Sequence, residues 1–252
     1  MSTMIAISGK GGSGKTTVAA MVVRHLVERT GRRVLAVDAD PNSCLGLALG
    51  VEAETTVAEI RDQALAGTLD GGTGTDRHRA VEYAIQRAVV EAKGFDLLVM
   101  GLPEGPKCYC AVNHLLRKYL DGAGRDYRYL VVDNEAGMEH LSRRTTDAVD
   151  HLVVVAEATA LGALTARRIL GLAERLPIRV HARGVLWNKV AEPGIAANLG
   201  DGLPMVGSIP FDEEVLEASM RGGTVFELAD GNPAFAAVGE ALSALIGAPS
   251  PR

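Results

Sequence analysis

Short apolar runs rich in valine, leucine and isoleucine recur along this chain, and stretches with helical character separate them. Buried parallel strands that alternate with helices produce such a pattern, because the helices cover both faces of the sheet. The pattern predicts strands over residues 4–8, 33–38, 96–101, 129–133, 151–155, 182–188 and 205–210. It predicts helices between them, including 17–29, 111–120 and 161–175. We therefore expect a three-layer α/β/α fold with a mostly parallel central sheet.

The predicted elements follow one another without an internal repeat or an interdomain linker. Residues 67–76 are rich in glycine and threonine, which predicts a flexible surface loop. A content of 47% hydrophobic and 4% aromatic residues suits an aliphatic α/β core, although 252 residues would also allow two domains. We expect residues 1–252 to form a single domain.

The net charge and the cysteines exclude several classes of protein. A formal net charge of −5 and a pI near 5.7 argue against non-specific nucleic-acid binding, which needs a basic surface. No early apolar segment is long enough for a signal peptide or a membrane span. Three cysteines without a signal peptide fit a reducing compartment, where disulfides are rare and metal binding is more frequent. We expect a cytoplasmic protein that binds neither membrane nor nucleic acid.

The first predicted strand leads into a glycine-rich segment with the pattern G-x-x-x-x-G-K-T, and a predicted helix follows. This order is typical of a phosphate-binding P-loop, whose backbone N–H groups turn towards the phosphates. Lys15 is expected to contact the β- and γ-phosphates, and the Thr16 hydroxyl to bind Mg²⁺. The predicted nucleotide-binding residues of this segment are Gly9, Lys10, Gly11, Gly12, Ser13, Gly14, Lys15, Thr16 and Thr17.

Lys10 is a second lysine in a loop that ordinarily needs one. Beside the second glycine, its side chain cannot easily fold back onto phosphates that its own loop holds. It could reach a nucleotide across a two-fold interface, as an arginine finger does in trans in other NTPases. The alternative is a solvated surface lysine.

Predicted strands end in aspartates where ligands of such sheets bind, at the carboxyl ends of the strands. Asp133 closes one apolar run and is expected to hold Mg²⁺ directly or through water. Asp38 and Asp40 follow another run. An aspartate after a strand is also a common turn or helix cap, which is the alternative for all three.

Residues 103–110 form a second specific motif, Pro-Glu-Gly-Pro-Lys-Cys-Tyr-Cys, between a predicted strand and a predicted helix. Cys108 and Cys110 are two residues apart, so in an extended segment both thiols project to one side and could bind one ion. The nearby helix N-terminus favours their thiolate forms. A closed Zn²⁺ or square-planar Ni²⁺ site uses four ligands, which two copies meeting at a dyad would supply. The alternative is a pair of buried small residues, and Cys44 is expected only to pack.

With these motifs the chain resembles the deviant-Walker class of dimeric ATPases, which includes the MinD, ParA and nitrogenase iron protein families. The resemblance implies ATP hydrolysis in which Lys10 crosses to the ATP of a partner subunit. Asp38 and Asp40 match the first switch segment of the class, where both could orient water, Asp40 towards the γ-phosphate and Asp38 towards the metal shell. Residues 134–140 match the second switch, where Gly137 would supply an N–H that senses the γ-phosphate. Asn188-Lys189 and Ile209-Pro210 match the usual adenine-contacting positions, with Asn188 and Pro210 as the predicted contacts, and the asparagine amide offers both a donor and an acceptor.

The Pro-x-Gly-Pro-x-Cys-x-Cys motif with this P-loop is similar to the CooC-type accessory ATPases for nickel insertion into carbon monoxide dehydrogenase. This resemblance implies a metallochaperone that uses ATP, ADP and Mg²⁺ and forms a homodimer on binding ATP or metal. Cys108 and Cys110 would hold Ni²⁺ or Zn²⁺ for a client nickel enzyme such as carbon monoxide dehydrogenase. Lys107 stands where the usual motif has glycine, which leaves the geometry of the metal loop open.

Two other functions are alternatives. Four thiolates at a dyad also suit an iron–sulfur cluster, as in the nitrogenase iron protein. In that family the ligands are two well-separated cysteines, and residues 134–140 contain none. A MinD-type positioning ATPase would need a basic amphipathic tail, whereas residues 234–247 carry one charge, Glu240, and no lysine or arginine. A ParA-type one would need a basic DNA-binding surface.

Overall fold

The computed structural model describes residues 2–69, 75–102, 110–123, 126–134, 148–176, 178–192, 194 and 202–247. Within these ranges the side chains of residues 75–78, 110–113 and 123 are not described. The strands are β1 (Thr3–Gly9), β2 (Val34–Ala39), β3 (Val90–Glu91), β4 (Phe95–Val99), β5 (Tyr129–Asn134), β6 (Ala148–Glu157), β7 (Arg179–Val190) and β8 (Met205–Pro210). The helices are α1 (Lys15–Thr30), α2 (Leu45–Leu49), α3 (Val57–Ala66), α4 (Thr75–Ala88), α5 (Cys110–Ala123), α6 (Ala160–Arg175), α7 (Glu213–Met220) and α8 (Pro233–Ile246).

The eight strands form one sheet in the order β3-β4-β2-β5-β1-β6-β7-β8. Every neighbouring pair is parallel except β3 and β4, which are antiparallel. All the predicted strands are present, and the mostly parallel sheet is confirmed. The short edge strand β3 was not predicted, because two residues are too few to show a hydrophobic pattern.

Helices cover both faces of the sheet, as the buried β-branched strands require. Alternate residues of the strands pack on α1, α2 and α8 on one face. On the other face, one half of the sheet packs on α3, α4 and α5, and the other half packs on α6. None of the helices that the structure describes is long and apolar enough to span a bilayer.

The predicted loop at residues 67–76 is partly wrong, because α4 begins at Thr75. The run of glycines ends at residue 74, so a helix is free to start at the next residue. Gly67 does end α3, in a left-handed conformation with φ 73°. The rest of the segment, residues 70–74, lies outside the described residues.

Arg24, a residue of α1 that is 2% exposed, joins this helix to the C-terminal part of the chain. Its guanidinium donates hydrogen bonds to the carbonyl oxygens of Val225 at 2.8 Å and Leu228 at 2.9 Å. It also pairs with Asp230 at 3.0 Å and lies 4.1 Å from the ring centroid of Phe235. Because α1 follows the P-loop directly, these bonds keep the segment that follows α7 in a defined place beside it.

We expect Arg24→Met to lower the free energy of unfolding by about 2–4 kcal/mol, because two buried carbonyls lose a charged donor. Urea unfolding measures this change. Arg29→Met on the exposed side of the same helix is the matched control and should stay within about 0.5 kcal/mol of the unsubstituted chain. Equal stability of the two variants would contradict the role of Arg24.

Candidate functional site

The parallel register of three central strands brings the predicted P-loop and the predicted carboxylates together. β5 lies between β2 and β1, with Asp133 opposite Asp38 on one side and opposite Ile7 on the other. The P-loop leaves β1 two residues beyond Ile7, at Gly9. The carboxyl ends of all three strands therefore meet at one edge of the sheet, as predicted.

The backbone of the P-loop requires glycine at several positions. Gly12 and Gly14 have φ values of 81° and 89°, in the region that favours glycine. A Cβ atom on Gly9 would lie 2.2 Å from the carbonyl oxygen of Val155 in β6. Around Gly11 and Gly12, in contrast, the space where a Cβ would project is open to 4 Å. The loop is thus packed against the sheet on one side and open on the other.

Helix α1 begins at the P-loop without a side-chain cap. Gly14 is its N-cap residue and offers no side chain to the first N–H groups of the helix. These groups, together with the positive end of the helix dipole, form a ready anion site. Lys15, the first residue of α1, is 6% exposed and Thr16 follows it, so both predicted phosphate and metal contacts lie at this helix start.

Two residues at the end of β7 hold the loop from the side. The amide nitrogen of Asn188 donates to the carbonyl oxygen of Ser13 at 2.8 Å. The ammonium of Lys189 donates to the carbonyl oxygen of Gly12 at 2.8 Å. Asn188 was predicted as an adenine contact. In the structure its amide nitrogen bonds the loop and its Oδ1 atom accepts the N–H of Lys189 at 2.9 Å, and the adenine contact stays a prediction. The sequence placed Lys189 beside the base with Asn188, and its bond to the loop was not predicted.

Asp133 is fully buried, and the Thr16 hydroxyl donates to its Oδ2 atom at 2.6 Å. Its Oδ1 atom is buried without a hydrogen-bond partner among the described residues. Burial raises the pKa of Asp133 to about 6, while the Thr16 hydroxyl and the Lys15 ammonium lower it. A buried oxygen without a donor, next to a threonine hydroxyl, fits a bound divalent cation. These residues therefore fit Mg²⁺.

The carboxylates of Asp38 and Asp40 accept hydrogen bonds from the turn and helix that follow β2, which is the alternative that the sequence left open for them. The Asp38 carboxylate accepts the N–H of Leu45, the first residue of α2, at 2.8 Å and that of Asp40 at 3.2 Å. The Asp40 carboxylate accepts two bonds from Asn42, at 3.0 Å from its backbone and 2.8 Å from its amide. Burial, helped by the neighbouring charge of Asp133, raises the pKa of Asp38 to about 7, although the hydrogen bond from the Leu45 N–H lowers it. The predicted catalytic roles of Asp38 and Asp40 stay predictions.

A cleft of about 350 Å³ opens beside the P-loop, within the size range of small-ligand sites. The loop and the start of α1 line one side of it, from Gly12 through Thr17 apart from Ser13. Asn188 and Pro210 line it as well, so the structure brings both predicted adenine contacts to the same cleft as the P-loop. Ile209, which the sequence placed with Pro210 at an adenine-contacting position, lines the cleft too. Apolar side chains form much of the remaining wall, and those not predicted are Val18, Met21, Phe211, Val215, Leu216 and Ala234.

Several predicted site residues cannot be compared with the structure. Cys108 and Gly137 lie outside the described residues, as does most of the segment 134–140. Cys110 is the first residue of α5, but its side chain is not described. In the described part of the chain, no three His, Cys, Asp or Glu side chains converge on a metal-sized site. Cys44 is exposed rather than packed, because it occupies the N-cap position of the short helix α2.

A family model described as the CobQ/CobB/MinD/ParA nucleotide binding domain matches residues 4–225. The chain belongs to this family. It is a P-loop ATPase, for which ATP, ADP and Mg²⁺ are the expected ligands.

Two relatives of known sequence cover nearly the whole chain. It is 39% identical over 251 residues to an uncharacterized ATP-binding protein of Methanocaldococcus jannaschii, covering 96% of this chain and 98% of that protein. It is 34% identical over 238 residues to the carbon monoxide dehydrogenase accessory protein CooC of Rhodospirillum rubrum, covering 89% of both chains. The chain is therefore a homologue of CooC.

Solved structures of the family share the fold. MinD in the MinC:MinD complex of Aquifex aeolicus has a TM-score of 0.73 at 22% identity and covers 98% of this chain and 96% of its own. A ParA family ATPase from Chlorobium tepidum has a TM-score of 0.71 at 19% identity, with coverage of 97% and 98%. Both likenesses confirm the predicted three-layer architecture.

Asp133→Asn tests the energetic cost of burying this carboxylate. The folded chain raises its pKa from 3.8 to about 6, so between these values the unfolded chain loses its proton first. The stability of the nucleotide-free protein therefore falls as pH rises through this window, and the full cost is present above about pH 7. We expect the advantage of Asp133→Asn in unfolding free energy to grow by about 1–2 kcal/mol from pH 4.5 to pH 7.5.

Urea unfolding at the two pH values measures this difference. Repeating it with Mg²⁺ and ADP is the internal control, because the ligands should stabilise the unsubstituted protein more than the asparagine variant at pH 7.5. If the unfolding free energies of Asp133→Asn and the unsubstituted protein differ by the same amount at both pH values, the raised pKa of Asp133 is contradicted.

Proposed function

We propose that the chain, residues 1–252, acts as a single cytoplasmic ATPase domain that serves as a nickel metallochaperone. It forms a homodimer, binds Ni²⁺ or Zn²⁺ through Cys108 and Cys110 of both subunits, and supports the maturation of a nickel enzyme such as carbon monoxide dehydrogenase. The observation that carries the proposal is the Cys-Tyr-Cys motif in a chain that is 34% identical to CooC over 89% of its length.

The structure supports a link between the nucleotide site and the segment that leads to the cysteines. That segment leaves β4, which is the neighbour of β2 in the sheet. The N–H of Met100 donates to the carbonyl oxygen of Asp38 at 2.8 Å. The backbone of Met100 in turn accepts the N–H of Ala58 in α3 at 2.9 Å. A shift of the Asp38 segment on nucleotide binding would therefore act on the start of the cysteine-bearing segment.

In this proposal Lys10 acts across the dimer. Lys10 is exposed, whereas Lys15 is buried at the start of α1. Lys10 would neutralise phosphate charge in the partner subunit, as an arginine finger does. Closure of the dimer would bring the two cysteine pairs together. Loss of the γ-phosphate contacts would loosen the dimer and free the ion for the client enzyme.

Cys108→Ser should abolish stoichiometric metal binding, because a four-sulfur site of a dimer loses two of its ligands. We expect about one Ni²⁺ ion per two chains in the unsubstituted protein, measured by equilibrium dialysis with elemental analysis. Affinity for Mg²⁺-ADP should stay within about threefold, since Cys108 belongs to no nucleotide contact in the proposal.

The third cysteine provides the matched control for this experiment. Cys44 is exposed at the start of α2, so Cys44→Ser removes a thiol and should leave the metal content unchanged. Unchanged nickel retention in Cys108→Ser would refute the metal site. Iron and acid-labile sulfide in the purified dimer would instead favour the iron–sulfur alternative.

Lys10→Ala should weaken ATP-dependent dimerisation by roughly tenfold or more, because phosphate charge at the interface loses a countercharge from each subunit. Sedimentation velocity with Mg²⁺ and a non-hydrolysable ATP analogue measures the dimer. The same runs with ADP provide the baseline. A dimer of Lys10→Ala as tight as that of the unsubstituted protein would reject the action in trans.

A further inference from the structure

The loop that carries Lys10 has two consecutive peptide carbonyls that accept hydrogen bonds from side chains at the end of β7. The carbonyl oxygen of Gly12 accepts a bond from the Lys189 ammonium, and that of Ser13 accepts one from the Asn188 amide, both at 2.8 Å. Two successive residues at the end of β7 thus bind two successive carbonyls of the P-loop.

Each of these bonds orients a whole peptide unit. A trans peptide is planar, with its carbonyl and its N–H pointing in opposite directions. When Asn188 holds the Ser13 carbonyl, the N–H of Gly14 is therefore directed to the opposite side. When Lys189 holds the Gly12 carbonyl, the N–H of Ser13 is directed away from Lys189, and it donates to the carbonyl oxygen of Lys10 at 3.2 Å. Lys189 is thereby connected to the backbone of Lys10 through one rigid peptide.

Lys189 has an uncommon backbone conformation. Its φ is 55°, a left-handed value found in only two described non-glycine residues, Lys189 and Ser43. Such a conformation costs about 1–2 kcal/mol in a lysine. Its side chain is 44% exposed and pairs with Glu157, 47% exposed, at 2.9 Å. An ion pair this exposed contributes little to stability, so stability alone does not account for the strained backbone.

Glu157 has a second neighbour of opposite charge. It ends β6 and lines a small hollow of about 60 Å³ that Lys10 also lines. In the structure the Glu157 carboxylate is paired with Lys189. Glu157 is the one acidic side chain among the described residues that line this hollow. Without the Lys189 ammonium, its carboxylate would be available to pair with Lys10, and this pairing would hold Lys10 against its own subunit.

We propose that Lys189 is a positioning residue for Lys10, an inference that rests on the proposed action of Lys10 in trans. Lys189 orients the Gly12–Ser13 peptide, to which the Lys10 carbonyl is bonded, and neutralises Glu157. Both effects leave the Lys10 side chain free to extend towards the partner subunit.

Lys189→Met should therefore weaken dimerisation and slow ATP hydrolysis, while the affinity of the single subunit for nucleotide stays nearly unchanged. We expect the dissociation constant of the dimer with a non-hydrolysable ATP analogue to rise roughly tenfold, and kcat to fall roughly tenfold, for one lost charge-assisted bond. The affinity for Mg²⁺-ADP, measured by calorimetry, and the KM for ATP should change less than about threefold.

Two further variants distinguish positioning from general support of the loop. Lys189→Arg should dimerise more tightly than Lys189→Met, close to the unsubstituted protein, because a guanidinium can bond both the Gly12 carbonyl and Glu157. Lys189→Met combined with Glu157→Gln should recover part of the lost dimerisation, because the carboxylate that would capture Lys10 is gone. Lys93→Met removes another exposed lysine, between β3 and β4, and should behave like the unsubstituted protein.

The outcomes separate this inference from the proposed function. If Lys10→Ala loses the dimer and Lys189→Met keeps it, the positioning role is refuted and the action in trans stands. If Lys189→Met loses Mg²⁺-ADP affinity in parallel with kcat and arginine does not rescue it, Lys189 is only a support of the loop. If Lys10→Ala still dimerises like the unsubstituted protein, the action in trans fails, and the inference fails with it.

Discussion

The parallel pairing of β5 with β2 and β1 is the constraint on which the site depends. It sets Asp133 beside Asp38 and beside the strand that leads into the P-loop, so two carboxylates and a phosphate-binding loop meet at one edge of the sheet. A slip of one residue along β5 would turn Asp133 to the other face and Val132 to the site. The apolar residues that alternate with these positions hold the register, because they fill the cores on both faces.

This arrangement buries two carboxylates at the site, and the hydrogen bonds of the described residues do not satisfy all of their oxygen atoms. Asp38 and Asp133 are both fully buried, and burial raises the pKa of each. Asp38 accepts two backbone N–H groups, whereas Asp133 keeps one oxygen without a partner among the described residues. A cation next to Thr16 would provide that partner. Binding of the metal–nucleotide complex would therefore offset the cost of burying these carboxylates and so contribute to affinity.

The walls of the cleft come from distant parts of the chain. Helix α1 continues from the P-loop, Asn188 and Lys189 arrive on β7, and Phe211 and Leu216 arrive after β8. Arg24 binds the carbonyls of Val225 and Leu228, so the last of these walls is attached to the same helix that begins at the phosphate site. The site is consequently built around α1, with its N-terminus directed to the phosphates and its middle attached to the segment beyond the cleft.

The sequence by itself determined the parallel sheet, the P-loop and the place of Asp38 and Asp133 at strand ends. These features follow from local patterns: apolar runs of strand length, and glycines whose spacing suits phosphates. Tertiary structure alone decided that Asn188 and Lys189 would bind the carbonyls of Ser13 and Gly12, and that Glu157 would pair with Lys189. Those contacts join residues about 30 to 180 positions apart, and their geometry depends on strand order and register, which no local pattern encodes.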